Sequence, residues 1–157
     1  MASSKHIKFD KILRHVEFQS VQLHSLPTAS KFKKKLTEEE TGRGRKDVVF
    51  FFEWLRTKNV ERILKVIMDE SQPVAHSDEA IEKALDGFHV EILDWRKVDL
   101  CPDTIVTSCP ELRTIYLCWS GNNAVLRAWS EPEGLARLTN LTQVHLHVKQ
   151  ARFDPVY

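Results

Sequence analysis

The sequence predicts an α/β fold in which about four parallel strands alternate with helices. Two observations support this prediction. After Val60 an apolar-x-x-apolar-x-apolar spacing occurs four times, at offsets of 24, 25 and 29 residues, and segments with helix signals separate the copies. Because a parallel partner strand requires a crossover connection, strands separated by helices indicate a parallel sheet.

The four copies of the spacing begin at Ile63, Gly87, Leu112 and Leu141. In the second copy, Phe88 stands beside Gly87 as a substitute for the missing apolar side chain. The spacing and the offsets are typical of a leucine-rich-repeat-like stack, in which each strand turns its alternate apolar side chains toward a shared core. Half of a doubly wound domain has similar strand spacing and is the alternative.

The segments between the copies carry helix signals. Ser77 is a candidate N-cap for a helix that ends at Gly87. Pro102 lies at the first turn of a short helix that ends by Ser108. Two further helical stretches, 124–129 and 134–138, precede the fourth copy.

The charge distribution divides the chain at residue 46. Residues 1–46 carry a net charge of +6 and residues 47–157 a net charge of −5. We therefore expect a basic N-terminal segment at 1–46 and one repeat-like α/β domain at 47–157. Apolar residues alternate with polar ones from Val16 to Leu23 and predict a short strand or hairpin, whereas the Lys- and Glu-rich stretch after Lys31 predicts a solvated linker.

The predicted domain opens with an amphipathic helix at about 47–58. Val48, Phe51, Phe52 and Leu55 have helical spacing and form one stripe. Asp47 is the candidate N-cap of this helix, and Lys58-Asn59 closes it. We expect the aromatic stripe to face the core.

The outward positions of the predicted strands supply a candidate partner surface. The spacing places one acidic, one phenolic and one imidazole side chain in a single row on adjacent strands, and a polar turn follows the third strand. The alternative is an ordinary polar surface of a repeat sheet. The candidate partner surface consists of Glu91, Tyr116, His145, Gly121, Asn122 and Asn123.

No catalytic, cofactor-binding or metal-binding set is predicted, so we expect a chain that is not an enzyme by itself. Cys118, His145 and His147 lie near one another in the predicted sheet, but their spacing is not that of a zinc site. A nucleophile elbow and a phosphate loop are both missing from the sequence. The lysines at 31–35 lie beside three glutamates and have no interleaved aromatic ladder, which argues against nucleic acid as the partner.

The cysteine content and the apolar runs predict an intracellular, cytoplasmic location. Three cysteines, an odd number, favour reduced thiols over a disulfide framework, and we expect Cys101 and Cys109 to act as small buried apolar groups. The first residues have no apolar core of a signal peptide. The longest apolar run, Val48 to Phe52, is far shorter than the ~20 residues of a membrane helix, so no membrane contact is expected.

Two tryptophans, Trp119 and Trp129, flank the Gly-Asn-Asn turn that follows the third strand. We expect both to lie in the core, with the indole N–H satisfied by an acceptor. The alternative is an exposed aromatic hot spot for a partner.

Seven segments between residues 7 and 150 are informative when they are taken together. They are Gly42 to Asp47, Phe50 to Leu55, Ile63 to Ile67, His76 to Ile81, Val90 to Trp95, Asp99 to Cys101 and Trp119 to Ser130. In these segments the chain resembles the region ahead of the catalytic domain in large filamentous-fungal subtilisin-like (S8-type) serine peptidases.

The resemblance implies an intracellular fungal multidomain protein with a peptidase domain downstream. The sequence stops at Tyr157 before any peptidase motif, so no catalytic residue of that family has a position in it. The resemblance therefore implies a non-catalytic accessory or interaction module, whose partner is another protein or the downstream peptidase domain. The alternative is a peptidase fragment or pro-region that docks on a subtilisin domain and regulates it or assists its folding.

Overall fold

The structure is a computed structural model that describes residues 7–19, 44–71 and 73–149. Strands and helices alternate along these residues. In chain order the elements are β1 (Ile12–Phe18), α1 (Val48–Thr57), β2 (Arg62–Met68), α2 (Asp78–Leu85), β3 (Ile92–Val98), α3 (Pro102–Ser108), β4 (Thr114–Trp119), α4 (Asn123–Ser130), a 3₁₀ helix (Leu135–Arg137) and β5 (Gln143–Val148).

The described strands form one parallel sheet in the order β1-β2-β3-β4-β5. The predicted α/β fold with a parallel sheet is confirmed. The strand order follows the chain without a reversal, whereas a doubly wound sheet has a switch point where the order reverses. Helices of successive connections contact each other, α1 with α2 and α2 with α3. The described strands therefore lack the switch point of a complete doubly wound sheet, although a single half of such a sheet keeps the same strand order.

The sheet has one strand more than the four that the sequence predicts. Leu13, Val16 and Phe18 in β1 have the same apolar-x-x-apolar-x-apolar spacing as the later strands, so the signal for a fifth unit was present and was missed. Because β1 pairs in parallel with β2, the segment is a strand of the main sheet. Val21, Leu23 and the predicted linker after Lys31 lie outside the described residues.

The second copy of the spacing begins three residues later than predicted. Val90, Leu93 and Trp95 hold its apolar positions and are buried, and β3 itself begins at Ile92. Gly87 follows the end of α2 with a φ of +77°, so it belongs to the helix terminus. The placement at Gly87 was wrong because the chain needs several residues to return from α2 to the sheet.

One face of the sheet and the helices enclose the core. Two inward rows of side chains cross all five strands, and they are buried in β2, β3 and β4. Phe18 packs edge to face on Phe51 of α1, with ring centroids 4.5 Å apart. The first row is Val16, Val66, Leu93, Ile115 and Val144; the second has Phe18, Met68 and Trp95 before a register shift in β3, and Leu117 and Leu146 beyond it.

The predicted signals at the starts of three helices are confirmed in full at two of them. The Ser77 hydroxyl accepts a hydrogen bond from the amide of Ala80 at 3.2 Å, and Pro102 is the first residue of α3. Asp47 holds the predicted N-cap position of α1, but its side chain does not make the capping hydrogen bond expected of that position. Its carboxylate is held by Arg45 and His76 instead. None of the helices in the described ranges combines the length and the apolar character needed to cross a bilayer.

Candidate functional site

The polar face is the side of the sheet that carries the outward side chains of the strands. Its central row takes one residue from each strand, in register across the sheet. The members of this row are half-buried or exposed, in contrast to the buried inward rows. The central row of the polar face consists of Glu17, Ile67, Asp94, Tyr116 and His145.

A ring stack occupies the β4–β5 end of the polar face. The Tyr116 ring lies parallel to the His145 imidazole, with centroids 4.4 Å apart and an interplanar angle of 10°. His147 continues the stack, with its ring centroid 6.2 Å from that of Tyr116. The sheet register places these three rings side by side, because alternate residues of neighbouring strands point to the same face. The ring stack therefore presents flat, partly apolar surface with a hydroxyl and ring nitrogens at its edges.

An acidic group borders the ring stack on the β3 side. Asp94 is the Cα partner of Tyr116, and its side chain is only 15% exposed. The guanidinium of Arg96 donates to the Asp94 carboxylate at 3.1 Å. Asp94 was missed from the sequence because the second copy of the spacing was placed three residues too early.

Glu91 does not join Tyr116 and His145, and its predicted place in their row was wrong. It precedes β3, where its carboxylate accepts a hydrogen bond from Arg62 at 2.7 Å and lies 3.7 Å from Arg113. The three-residue shift of β3 puts Asp94 in the position predicted for Glu91. Glu91 therefore belongs to an ion-pair group at the amino end of the strands.

The turn formed by Gly121, Asn122 and Asn123 lies beyond the carboxyl end of β4 and is exposed. The Asn122 side chain accepts a hydrogen bond from the Ala124 amide at 3.0 Å and so caps α4. The Trp119 indole donates to the Asn122 carbonyl at 2.8 Å. These contacts give the turn a structural role, and it lies apart from the ring stack.

Cys118, His145 and His147 do not form a metal centre. Cys118 is the Cα partner of His147, but it is buried, while His145 is stacked on Tyr116. Over residues 7–19, 44–71 and 73–149, no three His, Cys, Asp or Glu side chains converge as metal ligands would.

A second group of polar residues, the His76 cluster, lies where the segment before α1 meets the loop after β2. His76 is 2% exposed, and its Nδ1 lies 2.8 Å from Glu70 Oε1. Its Nε2 lies 3.1 Å from Asp47 Oδ1, an ion-pair distance with an angle too bent for a good hydrogen bond. The Trp95 indole donates to Glu70 at 2.7 Å. The His76 cluster consists of Asp47, Glu70, His76 and Trp95.

The His76 cluster fastens the segment before α1 to the loop after β2. Arg45 pairs with His76 in an isolated parallel bridge and donates two hydrogen bonds to the Asp47 carboxylate. Gly44 has a φ of +95°, and a Cβ at this position would lie 3.0 Å from the Ala75 carbonyl, so the close approach requires glycine. A substrate cannot reach an imidazole this deeply buried, and the cluster therefore acts as a structural clamp.

Burial and ion pairing act in opposite directions on the pKa values of the His76 cluster. Burial alone would raise the pKa of Asp47 and Glu70, but nearby His76, with Arg45 beside Asp47 and the Trp95 indole beside Glu70, outweighs it and holds both pKa values below their usual range. For His76 burial acts to lower the pKa, and the two carboxylates raise it overall. The two carboxylates therefore favour the imidazolium form of His76 against the effect of burial.

A shallow depression at the amino ends of β1 and β2 contains Arg56, Arg62 and His89. Their side chains already have protein partners. The Arg56 guanidinium donates to the carbonyls of Lys83, Ala84 and Asp86, and His89 pairs with Glu111 at 2.7 Å. The depression is therefore better explained by packing of the chain than by ligand binding.

The predictions for the cysteines and tryptophans are mostly confirmed. Cys101, Cys109 and Cys118 are free thiols. Burial raises the pKa of Cys109 to about 12, as expected for an inert core group, whereas Cys101 is only partly buried, so its expected burial is not confirmed. Trp129 is 4% exposed and donates to the Leu100 carbonyl at 2.8 Å, so it is a core residue. Trp119 is only partly buried against the core.

Comparison of the chain with protein-family models, with curated proteins and with solved structures gives no match. What this chain does is therefore inferred from its own residues and their geometry.

Proposed function

We propose that this chain is a non-catalytic interaction module, a leucine-rich-repeat-like stack whose polar face binds a protein partner. A relationship to the region ahead of the peptidase domain of fungal subtilisin-like proteins, which the sequence suggests, would imply the same role. In that role the chain positions a partner, or a peptidase domain on the same polypeptide, and carries out no reaction itself.

The observation that carries this proposal is the ring stack on a regular parallel sheet. The strands follow each other in chain order, so that each adds one residue to the central row of the polar face. Stacks of repeats commonly use such an extended face for binding. At its β4–β5 end, Tyr116, His145 and His147 give this face ring surface that is open to contact.

The composition of the central row suits a protein interface. Tyrosine is enriched at interfaces because it buries a large rigid ring and keeps a polar group at its edge. Ile67 provides an apolar contact between the acidic side chains of Glu17 and Asp94. A partner segment with an aromatic or apolar anchor and basic neighbours would match these groups.

The proposal is tested by binding with a double substitution in the ring stack. The purified chain serves as bait in a fungal lysate, beside the Tyr116→Ala/His145→Ala variant and an Arg127→Ala control, whose side chain is 81% exposed on α4. We expect the wild type and the control to retain the same partner. Loss of a central interface anchor costs ~2 kcal/mol or more, so the double variant should bind it at least ~30-fold more weakly.

Two results would contradict the proposal. Equal retention by the double variant would place the binding surface elsewhere, and hydrolysis of peptides by the purified chain would make it an enzyme. Addition of the chain to an active subtilisin separates the module from the pro-region alternative. Nanomolar inhibition would favour the pro-region, and no inhibition is expected of the module.

A further inference from the structure

The two outer strands of the sheet, β1 and β5, each have an edge that no strand pairs within the described ranges. An edge strand presents a row of backbone N–H and C=O groups that can pair with another chain. β1 and β5 run in the same direction at opposite ends of one sheet. A β1 edge from another molecule can therefore continue the sheet at β5 in the same parallel sense.

β5 also exposes the apolar side chains that its neighbours bury. Val144 is 51% exposed, Leu146 is 42% exposed and Val148 is 56% exposed, although Val144 and Leu146 continue the two inward rows. The corresponding residues of β4, Ile115 and Leu117, are almost fully buried. β5 thus has the side-chain pattern of an internal strand and a neighbour on one side only.

We propose that β5 binds β1 of a second copy of this chain, so that copies associate head to tail through a continued parallel sheet. The occupant of the β5 edge must be an extended strand with apolar side chains at the spacing of the inward rows. β1 has this spacing in Leu13, Val16 and Phe18. Continuing the register of the sheet sets Val16 beside Val144 and Phe18 beside Leu146.

The outward side chains of the two edges are also complementary. The same register sets Glu17 of one copy beside His145 of the next, in the central row of the polar face. The Glu17 carboxylate is 42% exposed in the single chain and has His15 as its near partner at 3.3 Å. Opposite-charge or hydrogen-bonding pairs directly across two strands stabilise the pairing, and like charges oppose it.

Each added copy leaves one free β1 edge and one free β5 edge. A head-to-tail assembly of this kind grows beyond the dimer, as an open chain or, where the rotation between copies closes, as a ring. Its average mass should rise steadily with protein concentration.

The test is the molar mass of the full chain in solution, measured by sedimentation over about 1 to 500 µM protein. The wild type should exceed the mass of a dimer at the highest concentrations. Leu146→Lys should remain at the monomer mass of 18.2 kDa. Leu126→Lys is the matched control, because Leu126 is 39% exposed on α4, and this variant should associate like the wild type.

A charge exchange tests the pairing of the two edges even if the Leu146→Lys variant does not fold. Glu17→Lys and His145→Glu should each raise the concentration of half-association by about tenfold or more, and the chain with both substitutions should return toward the wild type.

Four results would overturn the proposal. The first is a monomer at every concentration, as expected if another segment of the chain covers β5, and the second is a mass that stops at the dimer, as expected of β5 pairing with β5. The third is unchanged association of Leu146→Lys. The fourth is no recovery of association in the chain with both charge substitutions.

Discussion

Replacement of His76 by alanine is expected to lower the free energy of unfolding by about 3–5 kcal/mol, the usual cost of removing one member of a buried charged group. The change removes the imidazole that contacts both the Asp47 and the Glu70 carboxylates. It also detaches the segment before α1 from the loop after β2. Chemical denaturation monitored by circular dichroism measures the effect.

His89→Ala is the matched control for this substitution. His89 pairs with Glu111 at 2.7 Å, as His76 pairs with Glu70, but its side chain is 54% exposed. Exposed ion pairs contribute about 0–1 kcal/mol, so the control should lose little stability. Equal losses in the two variants would show that burial of the His76 cluster has no special effect.

The pH dependence of stability separates the charge of His76 from the space it fills. The pKa of His76 is raised in the folded chain, so its contribution is complete below the ordinary histidine pKa of 6.5 and is lost as pH rises through the folded value. The lowered carboxylate pKa values make their contribution complete above the ordinary glutamate pKa of 4.5, and it is lost at lower pH. The stability difference between wild type and His76→Ala should therefore be larger near about pH 6 than near about pH 9. A constant difference would indicate a cavity effect alone.

Trp129→Ala is expected to destabilise the chain by about 3–5 kcal/mol, as large-to-small changes of buried aromatic residues do. Trp129 lies on the inner side of α4, and its indole donates to the Leu100 carbonyl. The backbone folds closely around this site, since a Cβ at Gly134 would lie 2.8 Å from the Trp129 carbonyl. The region therefore has little freedom to collapse into the cavity.

Trp119→Ala provides the comparison, because Trp119 is only partly buried and its indole bonds to a carbonyl in the adjacent turn. We expect a smaller loss, about 1–2 kcal/mol, in the same denaturation measurement. A loss at Trp119 equal to that at Trp129 would contradict the assignment of Trp129 as the core residue of this pair.

The strands and helices were predictable because short-range patterns determine them. Alternate apolar positions identified β2, β4 and β5, and Ser77 and Pro102 marked the starts of α2 and α3. The register of β3 was not predictable from the spacing alone. Both Gly87-Phe88 and Val90 fit the first apolar position of the second copy of the spacing. The choice between them depends on how many residues the chain needs to return from α2 to the sheet.

The buried polar contacts could not be read from the sequence. Asp47, Glu70 and His76 have no motif spacing, and they meet because the bridge between Arg45 and His76 draws two distant segments together. From the local sequence alone Asp47 is predicted to cap a helix, but its side chain contacts Arg45 and His76 instead. The Tyr116–His145 contact was predictable, because both residues hold outward positions on strands whose register was predicted correctly.

The most direct test of the proposed stack is the set of nuclear Overhauser contacts between backbone and side-chain protons of neighbouring strands in the labelled chain. The parallel order requires contacts of Tyr116 with Asp94 on one side and His145 on the other, together with those of Val66 with Leu93. Close Hα–Hα contacts between neighbouring strands, which mark antiparallel pairs, or contacts of Tyr116 with Glu91 in place of Asp94, would contradict the account.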